Sequence, residues 1–326
     1  MGIKQIFLAS FLFCFVHLCS AQDSIQTVSY ETLNGHTKKF LNRITGRLFY
    51  VNTSNALQLN DRNSDLFFKL TPNKQDRIGA SIAFRSIQIS YAFAPNFLSN
   101  NKDNTGSRLF NLNFRNYFGK HWMQTIMLYN EKGFYLSNNE FNTYYPNIKS
   151  FKIGGGTSYI INENFSFKAI VGQNEKQLKS AGSFIPRFVY FYSEFNFNFD
   201  DPNSASNLYS FDIAFAPSYY YNFVPSKNLL ISAGASAGIG INFSNSTTQS
   251  LTSLLTELNF RGSLTYDIEN LYLGTHYSYL VLNHNTDRQT YVKDNIPYFE
   301  IFVGYRFKAP RKLIYKADII DDKLGL

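Results

Sequence analysis

Apolar and polar residues alternate strictly, in segment after segment, most of roughly 9 to 15 residues, and this restricts the possible folds more than any other feature of the chain. Between residues 229 and 243 one parity is Leu229, Ile231, Ala233, Ala235, Ala237, Ile239, Ile241 and Phe243, while the other is mainly Ser, Gly and Asn. Between 208 and 221, Tyr209, Phe211, Ile213 and Phe215 alternate with Ser210, Asp212 and Ala214. The same rule governs residues 78–84, 87–93, 110–115, 151–161, 165–171, 189–199, 254–268, 271–281 and 299–307. A period of two places successive side chains on opposite faces of a strand. An average strand has only about 5 to 6 residues, and soluble sandwiches turn every 8 to 12 or so. Strands of about 9 to 11 residues within lipid, often longer beyond it, belong to membrane barrels. Aromatics close the apolar parity, as at Tyr219, Tyr221 and Phe223, in the manner of an interfacial girdle. The expected class is therefore all-β, a transmembrane antiparallel β-barrel, with an exported soluble β-sandwich binding protein as the alternative.

Composition narrows the rest. Aromatic and charged residues each make up 17% of the 326 residues, which excludes intrinsic disorder. A net charge of +8 without any long Lys/Arg block argues against nucleic acid as a partner. Residues 1–21 read as a signal peptide cleaved near Ala21: Lys4 supplies the basic start, 6–18 the apolar stretch, and Ser20-Ala21 the small residues. Leu18 before Cys19 fits a lipoprotein site poorly. No later apolar run reaches the length of a membrane helix. Both cysteines, Cys14 and Cys19, fall within this signal, so the mature chain has no thiol nucleophile, disulfide framework or cysteine metal site.

Short polar turns near 85–86, 119–120, 162–164, 225–227 and 269–270 contrast with long polar stretches at 95–106, 131–148, 175–185, 244–253 and 283–297. Outer-membrane barrels place short turns at the periplasmic end and long loops outside. Up-and-down alternation runs from 76 to about 173 and again from 208 onward, out of phase by one strand between. Either 174–207 hides a strand or one segment does not span. An even total gives about 12 strands, with 14 next. The domains are then the signal (1–21), a periplasmic or barrel-mouth segment (22–52), the barrel (53–307) and a periplasmic tail (308–326). Within 22–52, Phe40, Ile44 and Leu48, flanked by Lys38, Lys39, Arg43 and Arg47, fit a short amphipathic helix or a solvated linker. Gly304-Tyr305-Arg306-Phe307 marks a closing strand that pairs with the first.

Two motifs resemble a family of Gram-negative outer-membrane β-barrel proteins known only as domain of unknown function four-four-two-one. One is Leu70-Thr71-Pro72-Asn73 followed by Arg77-Ile78-Gly79-Ala80-Ser81. The other runs from Gln173 through Asn174, Glu175, Lys176, Gln177 and Leu178 to Lys179-Ser180-Ala181-Gly182-Ser183-Phe184. Leu70-Thr71 departs from the aromatic expected before the Pro-Asn. The resemblance implies an outer-membrane barrel and supplies no activity. Physically, the small residues 180–183 permit a tight loop, a strand bend or an inward fold of the chain.

Charges on inferred lumen parities are Arg77, Arg115, Lys168, Glu194, Asp212, Glu257, Arg261, Asp267, Glu300 and Arg306. They can pair across the interior and seal it, or line a path for small solutes. His36, His121, His276 and His284 are scattered and show neither metal-ligand spacing nor a defined triad. A lipid-modifying hydrolase would need a Ser and a His within bonding reach at one rim. The expectation is a non-enzymatic structural barrel or small-solute pore, needing no cofactor or metal, with outer-membrane lipid and the barrel-assembly machinery as partners.

Overall fold

A computed structural model describes residues 31–33, 35–53, 56–61, 67–73, 76–98, 106–198, 206–246, 250–285 and 290–324. The expected signal segment, 1–21, lies outside them. In chain order the strands are β1 (Glu31–Leu33), β2 (Thr37–Lys39), β3 (Arg43–Thr53), β4 (Ala56–Asp61), β5 (Phe67–Pro72), β6 (Asp76–Phe84) and β7 (Ile87–Phe93). Next come β8 (Arg108–Phe118), β9 (Trp122–Ser137), β10 (Asn142–Tyr159), helix α1 (Phe167–Ile170), β11 (Glu175–Gln177), β12 (Ala181–Ile185) and β13 (Arg187–Phe197). The chain continues with β14 (Ser206–Phe215), β15 (Ser218–Ser226), β16 (Leu229–Ser246), β17 (Ser250–Ile268), β18 (Leu271–Asn285), β19 (Thr290–Lys308) and helix α2 (Arg311–Leu324).

Among the described residues the antiparallel pairings close into a ring of twelve, in the order β3, β6, β7, β8, β9, β10, β13, β14, β16, β17, β18, β19 and back to β3. Closure abolishes free edges, which lipid does not tolerate. The seam pairs Lys308 with Arg43 and Tyr298 with Thr53. β4 continues the register of β3 against β19, and β12 and β15 continue β13 and β14. Pro186 and Pro217 interrupt those last two strands, because neither can donate to the ladder. Arg85 and Glu269 take φ of 52° and 54° in the tight turns after β6 and β17, where hairpins need positive values.

The expected faces are present. Phe211, Ile213, Phe215, Ile231 and Ile239 are exposed on the outside, with Ile239 at 60%, whereas Ser210 and Asp212 are buried within. Near the short-turn end Trp122, Phe188, Tyr219 and Tyr305 form the outer aromatic belt. Ile213→Arg places a charge on the lipid-facing side and is expected to lower stability by about 2–4 kcal/mol near the midplane. Thermal unfolding in lipid vesicles reads the loss, and an unchanged midpoint would mean the residue does not meet lipid.

Several expectations change. Residues 165–171 are no spanning strand but contain α1, which accounts for the missing phase. Phe165, Phe167, Ala169, Ile170 and Val171 are all buried, so local alternation there was a coincidence of a mostly apolar segment. No amphipathic helix forms over Phe40, Ile44 and Leu48. A spacing of four keeps residues on one face in strand and helix alike, and the ring already begins at Arg43, ten residues before 53. The stretches 131–148, 244–253 and 283–297 are largely strand, since β9, β10, β16, β17, β18 and β19 run well beyond the usual membrane length. Residues 175–185 lie at the end of the short turns rather than opposite them, and most of the tail is α2.

Candidate functional site

Between β10 and β12 the chain leaves the ring and folds into the lumen from the short-turn end. Asn162 starts the excursion by accepting the Asn164 N–H at its side-chain oxygen, 3.0 Å. Ser166 caps α1, accepting the Ala169 N–H at 3.0 Å. Gly172 then reverses the chain at φ 64°, with the Tyr272 and Phe302 rings so close that a Cβ would meet them at 2.9 and 3.2 Å. The segment returns as β11, which pairs with β2 to make a three-stranded sheet with β1.

A four-residue helix cannot satisfy its last carbonyls internally. Here the next residues serve three of them, Val171 N–H to Phe167 at 3.3 Å, Gln173 N–H to Lys168 at 2.9 Å and Gly172 N–H to Ala169 at 3.4 Å, and the barrel wall serves carbonyls at either end of this turn. Arg47 donates to the Val171 carbonyl at 3.1 Å and Tyr272 to Gly172 at 2.7 Å. His276 Nε2 meets the Ile170 oxygen at 2.6 Å, and Asn222 donates to Ser166 at 3.0 Å. The cationic Arg47 also suits the negative end of the helix. Behind this clasp Glu300 is a hub: Arg47 lies 3.0 Å away, His276 Nδ1 2.9 Å, and the Tyr298 hydroxyl donates at 2.7 Å.

The family-like motif lies along the plug seam. Gln173 donates to Gln88, and Asn174 to the Arg85 carbonyl at 2.8 Å. Gln177, fully buried, accepts the Ser166 N–H at 2.8 Å and Asn222 at 2.9 Å, and donates to Asn164 at 2.7 Å. Ser180 accepts the Val224 N–H at 2.9 Å, and Ser183 accepts the Asn162 N–H at 3.1 Å. Ala181, Gly182 and Phe184 belong to β12, where Gly182 lies against the Tyr219 ring. Lys179 approaches Gly35. The inward fold therefore lies just upstream of the small residues.

Burial pushes the Glu175 carboxyl up, but Lys168 at 3.1 Å, the Ser166 hydroxyl and Lys39 outweigh it and hold it below the ordinary carboxylate range. A depressed value means that its contribution is complete above that range and disappears as pH falls through the folded value. Proteolysis of residues 160–180 is therefore expected to quicken on acidification below about pH 4 and to be flat above neutrality. An acid-independent rate would show that the Glu175 carboxylate does not hold the segment in place.

The ten charges expected in the lumen divide. At the plug level Arg306 pairs with Asp267 at 2.7 Å, and Lys176 meets the same carboxylate at 3.2 Å. Lys168 lies in the plug rather than on a strand. Asp212 accepts from Asn242 higher on the wall. Glu257 pairs with Arg187. Arg77, Arg115, Arg261, Glu257 and Glu300 line a cavity of about 290 Å³ above the plug. Glu194 is not brought there: Arg187, Val189 and Phe191 take the inward parity of β13, leaving Glu194 outward beside Tyr192 and Tyr209. Arg47, Lys152 and Arg187 also line the cavity; in the sequence Arg47 reads as the flank of a helix or linker, and neither Lys152 nor Arg187 stands out. Arg47 could have been found from the alternation of Thr45, Arg47, Phe49 and Val51, all buried. His121 contacts the Ile160 carbonyl and Glu163, away from His276.

An outer membrane channel from Pseudomonas putida F1 is similar to this chain, at 9% identity and TM-score 0.42, covering 87% of this chain and 100% of that one. The outer membrane protease OmpT from Escherichia coli is similar at 7% identity and TM-score 0.39, again over 87% and 100%. The outer membrane protein OprG from Pseudomonas aeruginosa is similar at 12% identity and TM-score 0.26, over 82% and 97%. Among curated proteins no sequence matches. A closed antiparallel ring with an apolar outer belt is the form in which strands cross the bacterial outer membrane, and this chain is an outer-membrane β-barrel. The model of one family, described as domain of unknown function (DUF4421), matches residues 36–307, and the chain belongs to that family.

Proposed function

We propose that the protein is a non-enzymatic small-solute barrel whose periplasmic mouth is closed by residues 160–180, so that passage requires this segment to move. In this reading the chain is exported by a signal cleaved near Ala21, and the assembly machinery inserts it with α2 on the periplasmic side. The observation that carries the proposal is the clasp of Arg47, Tyr272, His276 and Asn222 on the carbonyls of the plug. Wall side chains alone fill a barrel of about eight strands, whereas a ring of twelve encloses a wider interior. This chain uses instead a separate segment, held by Phe165, Phe167, Ile170 and Val171 packed against Tyr117, Met123 and Tyr220 and by polar contacts each worth about 0.5–1.5 kcal/mol, with a cavity behind it. Such contacts can be exchanged for others without breaking the ring.

Conductance in planar bilayers tests this. The full chain is expected to be silent apart from brief openings. Replacement of 166–174 by a Gly-Ser linker is expected to give a steady current. A steadily open full chain would refute closure by this segment, and a silent replacement would refute the solute path.

A further inference from the structure

We infer that the cavity above the plug is a binding site for a small organic anion carrying carboxylate or phosphate groups. This rests on the reading of the lumen as a solute path and names what the path takes. Six cations line the cavity: Arg47, Arg77, Arg115, Lys152, Arg187 and Arg261. Two of them are already matched, Arg47 by Glu300 at 3.0 Å and Arg187 by Glu257. The other four have no carboxylate within ion-pair distance among the described residues. Arg115 donates only to the neutral Gln88, at 2.9 Å. Arg77 is 3% exposed, yet its Nε has no hydrogen-bond partner, nor does the Nε of Arg115.

One further carboxylate is close. Glu131, also buried, feels the charges of Arg77 and Lys152, but neither of its oxygens accepts a hydrogen bond. Even counting it, three carboxylates face six cations. A buried charge left without a partner is strongly unfavourable, by several kcal/mol per ion. Aromatic rings of the wall and the plug limit this cost in a particular way. Arg77 lies over the Tyr129 ring at 5.7 Å, Arg115 over Phe167 at 5.8 Å and Lys152 over Phe191 at 4.8 Å. A ring face stabilises a cation without neutralising it and leaves N–H groups available. Guanidinium forks held by rings, with donors unspent, suit planar carboxylate or tetrahedral phosphate groups. The volume of about 290 Å³ is near the lower end for small-molecule pockets, and the inward rings of Phe49, Tyr129 and Phe191 in its lining suit an organic body. Arg115 stands over Phe167 of the plug itself, so the anion would rest on the closing segment.

Calorimetric titration of the full chain in detergent micelles with citrate, and separately with inorganic phosphate, tests the site. At least one is expected to bind, more weakly as salt is raised. Tighter citrate would identify a carboxylate site and tighter phosphate a phosphate site. Arg77→Gln and Arg261→Gln, each shown to be folded by its heat-modifiable mobility, are expected to weaken binding at least tenfold. Arg261→Gln serves alone if Arg77→Gln does not fold. No binding of either anion, or binding unchanged by Arg261→Gln, overturns the inference. The plug-replaced barrel separates the two proposals. If it conducts without anion preference in a salt gradient, the anion site falls and the solute path stands. Should it stay silent while the full chain binds citrate, the path falls and the site stands.

Discussion

Deletion of residues 298–307 is expected to abolish the folded barrel, whereas deletion of 311–326 leaves it in the outer membrane. The first deletion removes the part of β19 that pairs with β3 from Tyr298↔Thr53 to Phe307↔Ile44 and with β18 from Tyr298↔Ser278 to Tyr305↔Leu271. Two strands would then expose their N–H and C=O groups inside hydrocarbon, where each unsatisfied group costs several kcal/mol. Glu300, Phe302 and Arg306 are lost too, and with them the hub behind the plug and the partner of Asp267. The effect is therefore all or nothing. By contrast, α2 contributes no strand to the ring. It meets the barrel through Asp318 and Asp321 on Arg85 in the turn after β6, pairs that are partly exposed. Partly exposed ion pairs contribute about 1 kcal/mol or less each. Heat-modifiable migration and outer-membrane fractionation distinguish the two variants. A tail deletion that loses the barrel would show that α2 takes part in folding.

Glu300→Ala is the point substitution with the largest expected loss, about 3–5 kcal/mol, the range for removing one partner of a buried ion pair. Arg47 and Glu300 are both nearly inaccessible and lie 3.0 Å apart. The substitution leaves the Arg47 charge uncompensated and also strands His276 Nδ1 and the Tyr298 hydroxyl. Arg47 and His276 are the residues that hold the Val171 and Ile170 carbonyls, so the plug is expected to loosen as well. A lower unfolding midpoint in detergent and faster proteolysis within 160–180 are the two readouts. The double variant Arg47→Met, Glu300→Leu removes both charges and is expected to be less destabilised than Glu300→Ala, because no unpaired ion remains. A double variant as unstable as the single one would show that the pair acts through something other than charge compensation.

What the sequence determined by itself is the local half of this molecule. The alternation of Leu229 to Phe243 against Ser, Gly and Asn specifies a strand and both its faces, because the period of two is a property of neighbouring residues. Strand length beyond that of soluble proteins, the aromatic ends and the closing Gly304 to Phe307 pattern specify strands in lipid for the same reason, and an even number of them follows from the general form of such barrels. Tertiary structure alone decided the interior. Phe165 to Val171 have the composition of a strand, and it is the wall donors Arg47, Tyr272, His276 and Asn222, together with the apolar side chains of Tyr117, Met123 and Tyr220, that make a capped helix in the lumen the better place for them. Phe40, Ile44 and Leu48 satisfy helix and strand equally, and the pairing of β3 with β19 settles the choice. Which cations are neutralised and which stay unmatched is likewise invisible along the chain. Arg47 and Glu300 are separated by 253 residues, and the difference between them and Arg77 lies only in what the closed ring brings within 4 Å.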